Sequence, residues 1–260
     1  MIVAGIDMGA KTIKVMILQD SKILAQAIAL SGFDQRTSAV EALSEAQRKA
    51  GLVRHQIEHI TVTGAGRKDV PFANDDVTEV GASARGAVFL FPSARTVIDV
   101  GAEEGRAVRC DSSGKVIDFA INEKCAAGAG AFTEAMARAL EVKLEDFGAL
   151  ALKSQKAIPM NAQCAIFAES EVVSLIHSKT PKEDIARAVH DAIASRIVSM
   201  VRRIGVEKDV TLVGGLAKNI GFVESLKREL NTDLLIPKEP ELVGALGAAL
   251  IAAERSEKKR

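Results

Sequence analysis

The feature that most constrains this chain is that its opening pattern occurs twice. Ile6-Asp-Met-Gly9 closes a short apolar run, and Ile98-Asp-Val-Gly101 closes another, about 92 residues later. After the first copy, residues 12–18 and 23–30 alternate as strands do, around the turn Gln19-Asp-Ser-Lys22. Residues 37–50 then read as a helix ended by Gly51, 57–63 as a strand, and 79–91 as a helix stopped by Pro92. After the second copy, 106–110 and 115–121 read as strands around Ser112-Ser-Gly114. A long helix follows at 183–205, then a strand at 210–213, a helix at 219–230, a strand at 234–237 and a helix at 241–254. The chain is therefore expected to be an α/β duplication, two β-β-β-α-β-α halves. Facing halves make a cleft, and clefts bind ligands. Residues 1–94 form the expected first lobe, with helix 241–255 a candidate to pack on it. Residues 95–240 form the expected second lobe, and 122–180 is an insertion with no counterpart in the first.

Each half opens with an aspartate before a glycine turn. Glycine lets backbone N–H groups come close to phosphate oxygens, and aspartates can hold Mg²⁺ or orient an attacking water. Asp7, Asp99 and Glu103 are the candidate catalytic residues. Gly9, Ala10, Lys11, Thr12, Gly101 and Ala102 are the candidate phosphate contacts. Leu212-Val-Gly-Gly-Leu-Ala-Lys-Asn219 runs from strand to helix through two glycines, where a flat base could lie on bare backbone. The segment resembles the adenosine motif of the actin, sugar kinase and Hsp70 superfamily, and 244–250 resembles that superfamily's second adenine-side helix, which implies Gly214, Gly215, Lys218, Asn219 and Gly244 as nucleoside contacts. Gly247 reads equally as a helix-packing position, and Arg67 as a phosphate contact or a solvated side chain. No Gly-x-x-x-x-Gly-Lys-Ser/Thr sequence occurs, which excludes a P-loop.

The insertion carries two cysteines. Cys125 stands in Asn122-Glu-Lys-Cys-Ala-Ala-Gly-Ala-Gly130 and Cys164 in Asn161-Ala-Gln-Cys-Ala-Ile-Phe-Ala-Glu-Ser-Glu171. Each precedes a helical pattern, at 131–140 and 165–176, and a helix N-terminus favours thiolate. Thiolates ligate iron–sulfur clusters, and a four-cysteine cluster needs four of them. Two per chain point to a cluster shared between two chains. The alternative is two unrelated buried cysteines. The small residues 126–130 would leave a cluster lightly covered, open to a partner near Ala127 and Ala129, with Gly128 and Gly130 offering N–H groups to its sulfides. Cys110, in a strand, reads as a core thiol.

Composition removes other classes. Lys plus Arg and Asp plus Glu number 34 each, which gives no electrostatic case for nucleic acid or an anionic membrane. No run of 18 apolar residues occurs, so no membrane span is expected. Three cysteines make no disulfide framework and suit a reducing cytoplasm. The first seven residues read as a strand rather than a leader. The four histidines show no ligand spacing, and the nine phenylalanines read as core.

The duplicated topology resembles the actin, sugar kinase and Hsp70 superfamily, with its ribonuclease H-like lobes. Lys124-Cys-Ala-Ala-Gly128, and Cys164 with Phe167-Ala-Glu-Ser-Glu171, resemble the ATP-dependent activators of 2-hydroxyacyl-CoA dehydratases and the ATP-binding subunits of benzoyl-CoA reductase. The resemblance covers essentially the whole chain. It implies a dimer, of identical or paralogous chains, with a [4Fe–4S] cluster held by Cys125 and Cys164 of each. It also implies ATP/ADP and Mg²⁺ in the cleft, and one-electron delivery to a reductase or dehydratase acting on a CoA thioester. The phosphate loops depart from the activators' pattern. Asp-x-Gly-Ser-Thr is here Asp7-Met-Gly-Ala-Lys11, and Asp-x-Gly-Gly-Gln-Asp is here Asp99-Val-Gly-Ala-Glu-Glu104. The second loop, with its later Gly105-Arg-Ala107, looks more like that of a small benzoyl-CoA reductase component. A small-molecule kinase on the same fold would need a substrate-binding acid in the cleft and neither cysteine. A non-catalytic ATP or redox sensor is a third reading.

Overall fold

A computed structural model describes residues 1–122, 129–160 and 165–258, with the backbone alone for 165 and 166. Two five-stranded mixed sheets share one topology. In the first, β1 (Ile2–Met8), β2 (Thr12–Gln19), β3 (Lys22–Leu30), β4 (His59–Thr63) and β5 (Asp75–Asp76) lie in the order β3-β2-β1-β4-β5. In the second, β6 (Thr96–Val100), β7 (Gly105–Cys110), β8 (Val116–Asn122), β9 (Val210–Val213) and β10 (Leu234–Leu235) lie in the order β10-β9-β6-β7-β8. The register sets Asp7 between Lys14 on β2 and Thr63 on β4. It sets Asp99 between Arg106 on β7 and Val213 on β9.

Helices cover both faces of each sheet. Helix α1 (Gln35–Ala50) starts at Asp34, whose carboxylate accepts from Thr37 N–H, and ends at Gly51 in the left-handed region, φ 66°. Its Ala39, Ala42, Leu43 and Ala46 pack with Ile6, Ile13, Ile60 and Val62 on one face of the first sheet. Helix α8 (Val243–Glu257) covers the other face, where Ala245, Leu246, Ala249 and Leu250 meet Val3, Met16 and Leu18. The approach is close: a Cβ on Gly5 would lie 2.1 Å from the Ala245 carbonyl oxygen. Helix α2 (Glu79–Leu90) packs through Val80, Ala84 and Val88 on Val97, Val108 and Val213 of the second sheet. Helices α2 and α8 meet at glycines, since a Cβ on Gly247 would lie 1.8 Å from the Ala82 carbonyl oxygen. Gly247 is thus a packing residue.

On the second sheet's other face lies α6 (Lys182–Ile204), buried through Ile185, Val189, Ile193 and Ile197 against Ile98, Val100, Ala107 and Leu212. Helices α3 (Ala129–Ala139), α4 (Leu144–Ala151) and α5 (Ala165–His177) stand between β8 and α6, whereas in the first half β3 leads directly to α1. Helix α7 (Ile220–Leu230) begins at Asn219, whose side chain accepts from Gly221 and Phe222 N–H. Cys110 is buried, and that burial pushes its thiol up to about 11, as expected of a core thiol. The phenylalanines divide, contrary to expectation. Phe132, Phe147 and Phe222 are buried, whereas Phe33, Phe119 and Phe167 are exposed. Phe33 follows an edge strand and Phe119 lies on one, where alternation puts every second side chain outward.

Candidate nucleotide cleft

A cleft of about 630 Å³ opens between the two sheets. The strand ends, the start of α2, helices α3 and α4, and the residues before α7 and α8 form its walls. The nucleotide-site residues expected from the sequence come together here. Asp7, Gly9, Ala10, Lys11 and Thr12 line one side, and Asp99, Gly101, Ala102 and Glu103 the other. Gly214, Gly215, Lys218, Asn219 and Gly244 complete it. Cys125 and Cys164 fall outside the described residues.

The two Asp-x-Gly loops are tight turns with different supports. Ser31, itself buried, donates its hydroxyl to the Gly9 carbonyl at 2.6 Å, and its N–H bonds to the Lys11 carbonyl at 3.1 Å. Gly66 N–H donates to the Met8 carbonyl at 3.2 Å, so the turn after β4 braces the same loop. The second loop closes through Gly101 N–H to the Glu104 carbonyl at 2.9 Å. Gly214 has φ 88°, and a Cβ there would lie 2.7 Å from Asp99 Oδ1, so only glycine lets β9 pass beside the aspartate. A Cβ on Gly215 would meet nothing within 4 Å, which leaves bare backbone facing open space.

Each aspartate has a cation. Lys14 Nζ lies 3.1 Å from Asp7 Oδ2. Arg106 lies 3.7 Å from Asp99 Oδ2 and 2.9 Å from Glu79 Oε1, and also pairs with Glu104. Ser83 donates its hydroxyl to Asp99 Oδ2 at 2.6 Å. Burial works against the charge of Arg106, but Asp99, Glu79 and Glu104 together hold its pKa above the ordinary value. Burial pushes the Glu79 carboxyl above the usual range against the pull of Arg106, with Glu104 and Asp7 adding to the rise. Among the described residues no group of three or more His, Cys, Asp or Glu is arranged to hold a metal ion. A divalent ion would take its remaining ligands from phosphate and water, as Mg²⁺ commonly does.

Residues 4–252 match the BadF/BadG/BcrA/BcrD ATPase family along nearly the whole fold. The chain belongs to that family. The activator of lactoyl-CoA dehydratase from Anaerotignum propionicum is 38% identical over 255 residues, covering 98% of each chain. The activator of the 2-hydroxyisocaproyl-CoA dehydratase from Clostridium difficile, solved with bound ADPNP, superposes with a TM-score of 0.92 at 38% identity. That match covers all of this chain and 98% of the other. Component A of the Acidaminococcus fermentans (R)-2-hydroxyglutaryl-CoA dehydratase superposes with a TM-score of 0.94 at 34% identity, covering 99% of both chains. The fold is the two-lobed one of actin, sugar kinases and Hsp70. A component of the benzoyl-CoA reductase of Thauera aromatica is 30% identical over 269 residues, 99% of this chain and 95% of that one. As a whole this ATPase family member is nearer the dehydratase activators than its second loop alone suggested.

The site differs from the sequence reading in several details. Arg67 pairs with Asp76 at 3.3 Å and does not line the cleft. Gly130 N–H donates to the Gly101 carbonyl at 3.2 Å, so it is committed to the second Asp-x-Gly loop rather than offered to a sulfide. Ala129 is buried in the core of the second lobe, so it offers no docking surface. Lys14, Ser31, Glu79, Ser83 and Glu134 were not expected at the site and all but Ser31 line the cleft. Lys14 carried a usable signal. It stands five residues after Gly9, as Arg106 stands five after Gly101, and both face an aspartate across a hairpin.

Proposed function

We propose that this chain is an ATP-dependent electron donor to an oxidoreductase acting on a CoA thioester, a 2-hydroxyacyl-CoA dehydratase before a benzoyl-CoA reductase. The observation that carries the reading is the cleft. It gathers both Asp-x-Gly turns and the Gly214-Gly215 junction, in a member of an ATPase family whose relative binds ADPNP. Asp7 and Asp99 face the phosphates from opposite lobes, hold Mg²⁺ directly or through water, and with Glu103 orient the attacking water. Gly9, Ala10, Lys11 and Thr12, with Gly101 and Ala102, contact the phosphates through backbone N–H groups and side chains. Gly214, Gly215, Lys218, Asn219 and Gly244 hold the nucleoside.

A [4Fe–4S] cluster held by Cys125 and Cys164 of two chains would supply the low-potential electron. The second chain is identical or a paralogue, and the assembly works in the cytoplasm. This chain contributes a mechanical link between nucleotide and cysteine segment. Ala131 N–H donates to the Ala102 carbonyl at 3.0 Å, so α3, the helix after Cys125 in sequence, starts on the second phosphate loop. Closure of the lobes on ATP, and reopening on hydrolysis, is thereby carried to that segment. Glu79 favours a second reading, a small-molecule kinase, because it puts a carboxyl in the cleft; its bond to Arg106 weighs against a substrate role.

Anaerobic reconstitution separates the two. The wild-type chain takes up about four irons per two chains and Cys125→Ala takes up none. Asp7→Ala and Asp99→Ala retain the fold and lose ATP hydrolysis by about 10²–10³-fold. A colourless protein that phosphorylates a sugar would favour the kinase, and full ATPase activity in both aspartate variants would remove Asp7 and Asp99 from the site.

A further inference from the structure

Lys11 and Glu134 join the two lips of the cleft. Lys11 lies in the turn between β1 and β2, and its ammonium pairs with the carboxylate of Glu134 on α3, 123 residues away. Both line the cleft. We propose that Glu134 is a positioning residue that limits the preference of the site for nucleoside triphosphate over diphosphate, by competing with the terminal phosphate for Lys11. The inference rests on the nucleotide reading above.

The backbone on each side is fixed, so the side chains are what can exchange. Ser31 holds the Lys11 turn through the Gly9 and Lys11 carbonyls. The first turn of α3 bonds to Gly101 and Ala102, and a Cβ on Gly130 would lie 2.9 Å from Ala102 Cα. Glu134, four residues after Gly130, therefore stands one helical turn above the second phosphate loop. The other cations of the cleft are committed: Lys14 to Asp7, Arg106 to Glu79, Asp99 and Glu104, and Lys218 to Glu241. The Lys14 and Arg106 pairs are largely buried, whereas the Lys11 side chain is 54% exposed and its partner 27%, so that pair is weak and reversible; Lys218 is as exposed but lies beside the Gly214-Gly215 junction, away from the Asp-x-Gly turns.

A polyphosphate lying between the two loops meets this pair. Each added negative charge on the nucleotide gains from Lys11 and is opposed by Glu134. A triphosphate carries more charge than a diphosphate and reaches further, so it draws Lys11 off Glu134 more strongly. Glu134 thereby lowers triphosphate affinity more than diphosphate affinity, and the pair re-forms after hydrolysis.

The test measures Mg²⁺-ADPNP and Mg²⁺-ADP binding to the full chain by calorimetry, for wild type, Glu134→Gln, Glu134→Asp, Lys11→Met and the Lys11→Met/Glu134→Gln double variant. Glu134→Gln tightens ADPNP by about fivefold and ADP by less, an effect that shrinks at high salt. Lys11→Met weakens ADPNP, and in the double variant most of the gain from Glu134→Gln disappears. Glu134→Asp keeps the wild-type ratio, which separates charge competition from disturbed packing. An unchanged ADPNP-to-ADP ratio in Glu134→Gln, or weaker ADPNP binding, overturns the inference while leaving the nucleotide site standing. Wild-type protein that binds neither nucleotide removes both.

Discussion

Lys14 and Arg106 occupy the same register position in the two sheets. Each is the antiparallel partner of an aspartate, Lys14 of Asp7 and Arg106 of Asp99. The duplication therefore extends past the Asp-x-Gly turns to the cations that face them. The two pairs differ in load, because Lys14 meets one carboxylate and Arg106 three. Removing Arg106 leaves Glu79, Asp99 and Glu104 facing one another in a half-buried site. Arg106→Met is expected to destabilise the fold by about 3–5 kcal/mol in urea unfolding, and Lys14→Met by clearly less. Adding Glu79→Gln to Arg106→Met should recover part of the loss. Equal effects from the two single variants would contradict this charge arrangement.

What could be read from the sequence was local and repeated. The Ile-Asp-x-Gly turns, the Gly214-Gly215 junction and most strands and helices are visible because each is set by its own neighbours. Helix α4 was missed because it is eight residues with a glycine, Gly148, inside it. Strand β5, only two residues long, is below any pattern. Glu79 stands in the first turn of α2, where an acid is ordinary, and only the tertiary placement of α2 on the second sheet brings it to Arg106. The same holds for Glu134, whose partner lies in the other half of the chain. Phe33 and Phe167 show the limit of residue type as a guide to burial.

A buried histidine sets an acid limit on stability. His190 on α6 is fully buried, with Nδ1 donating to the Ala186 carbonyl at 2.7 Å and its ring 4.8 Å from Phe147. Burial lowers its pKa from 6.5 to about 4, the Ala186 bond and Asp191 opposing. Unfolded, the imidazole takes up a proton as pH falls through 6.5; folded, it stays neutral until about 4. Between those values the unfolded state binds more protons, so the stability present above pH 6.5 is lost as pH falls. The loss from this residue amounts to roughly 2–3 kcal/mol across that window. His190→Leu, compared with wild type by urea unfolding at pH 7 and pH 4.5, should show a flatter profile. Parallel profiles would place the acid sensitivity elsewhere.

Two adjacent glycines should respond in opposite ways to one added methyl group. Gly214 adopts φ 88°, and a Cβ there would lie 2.4 Å from the Val100 carbonyl oxygen and 2.7 Å from Asp99 Oδ1. Gly214→Ala must therefore strain the backbone and displace the aspartate, at a cost of about 1–3 kcal/mol. It should lower Tm and reduce ATP hydrolysis together. Gly215→Ala meets nothing within 4 Å, so stability should stay within about 0.5 kcal/mol of wild type, the range of a neutral surface change, with Tm nearly unmoved. Its methyl group would enter the open space proposed for the nucleoside, and ADPNP binding should weaken while the fold is unaffected. Calorimetric Tm and ADPNP affinity, measured on both variants, separate the two effects. If Gly215→Ala binds ADPNP as tightly as wild type, the base does not rest on this junction, and the nucleoside half of the site must be sought nearer Gly244 and α8.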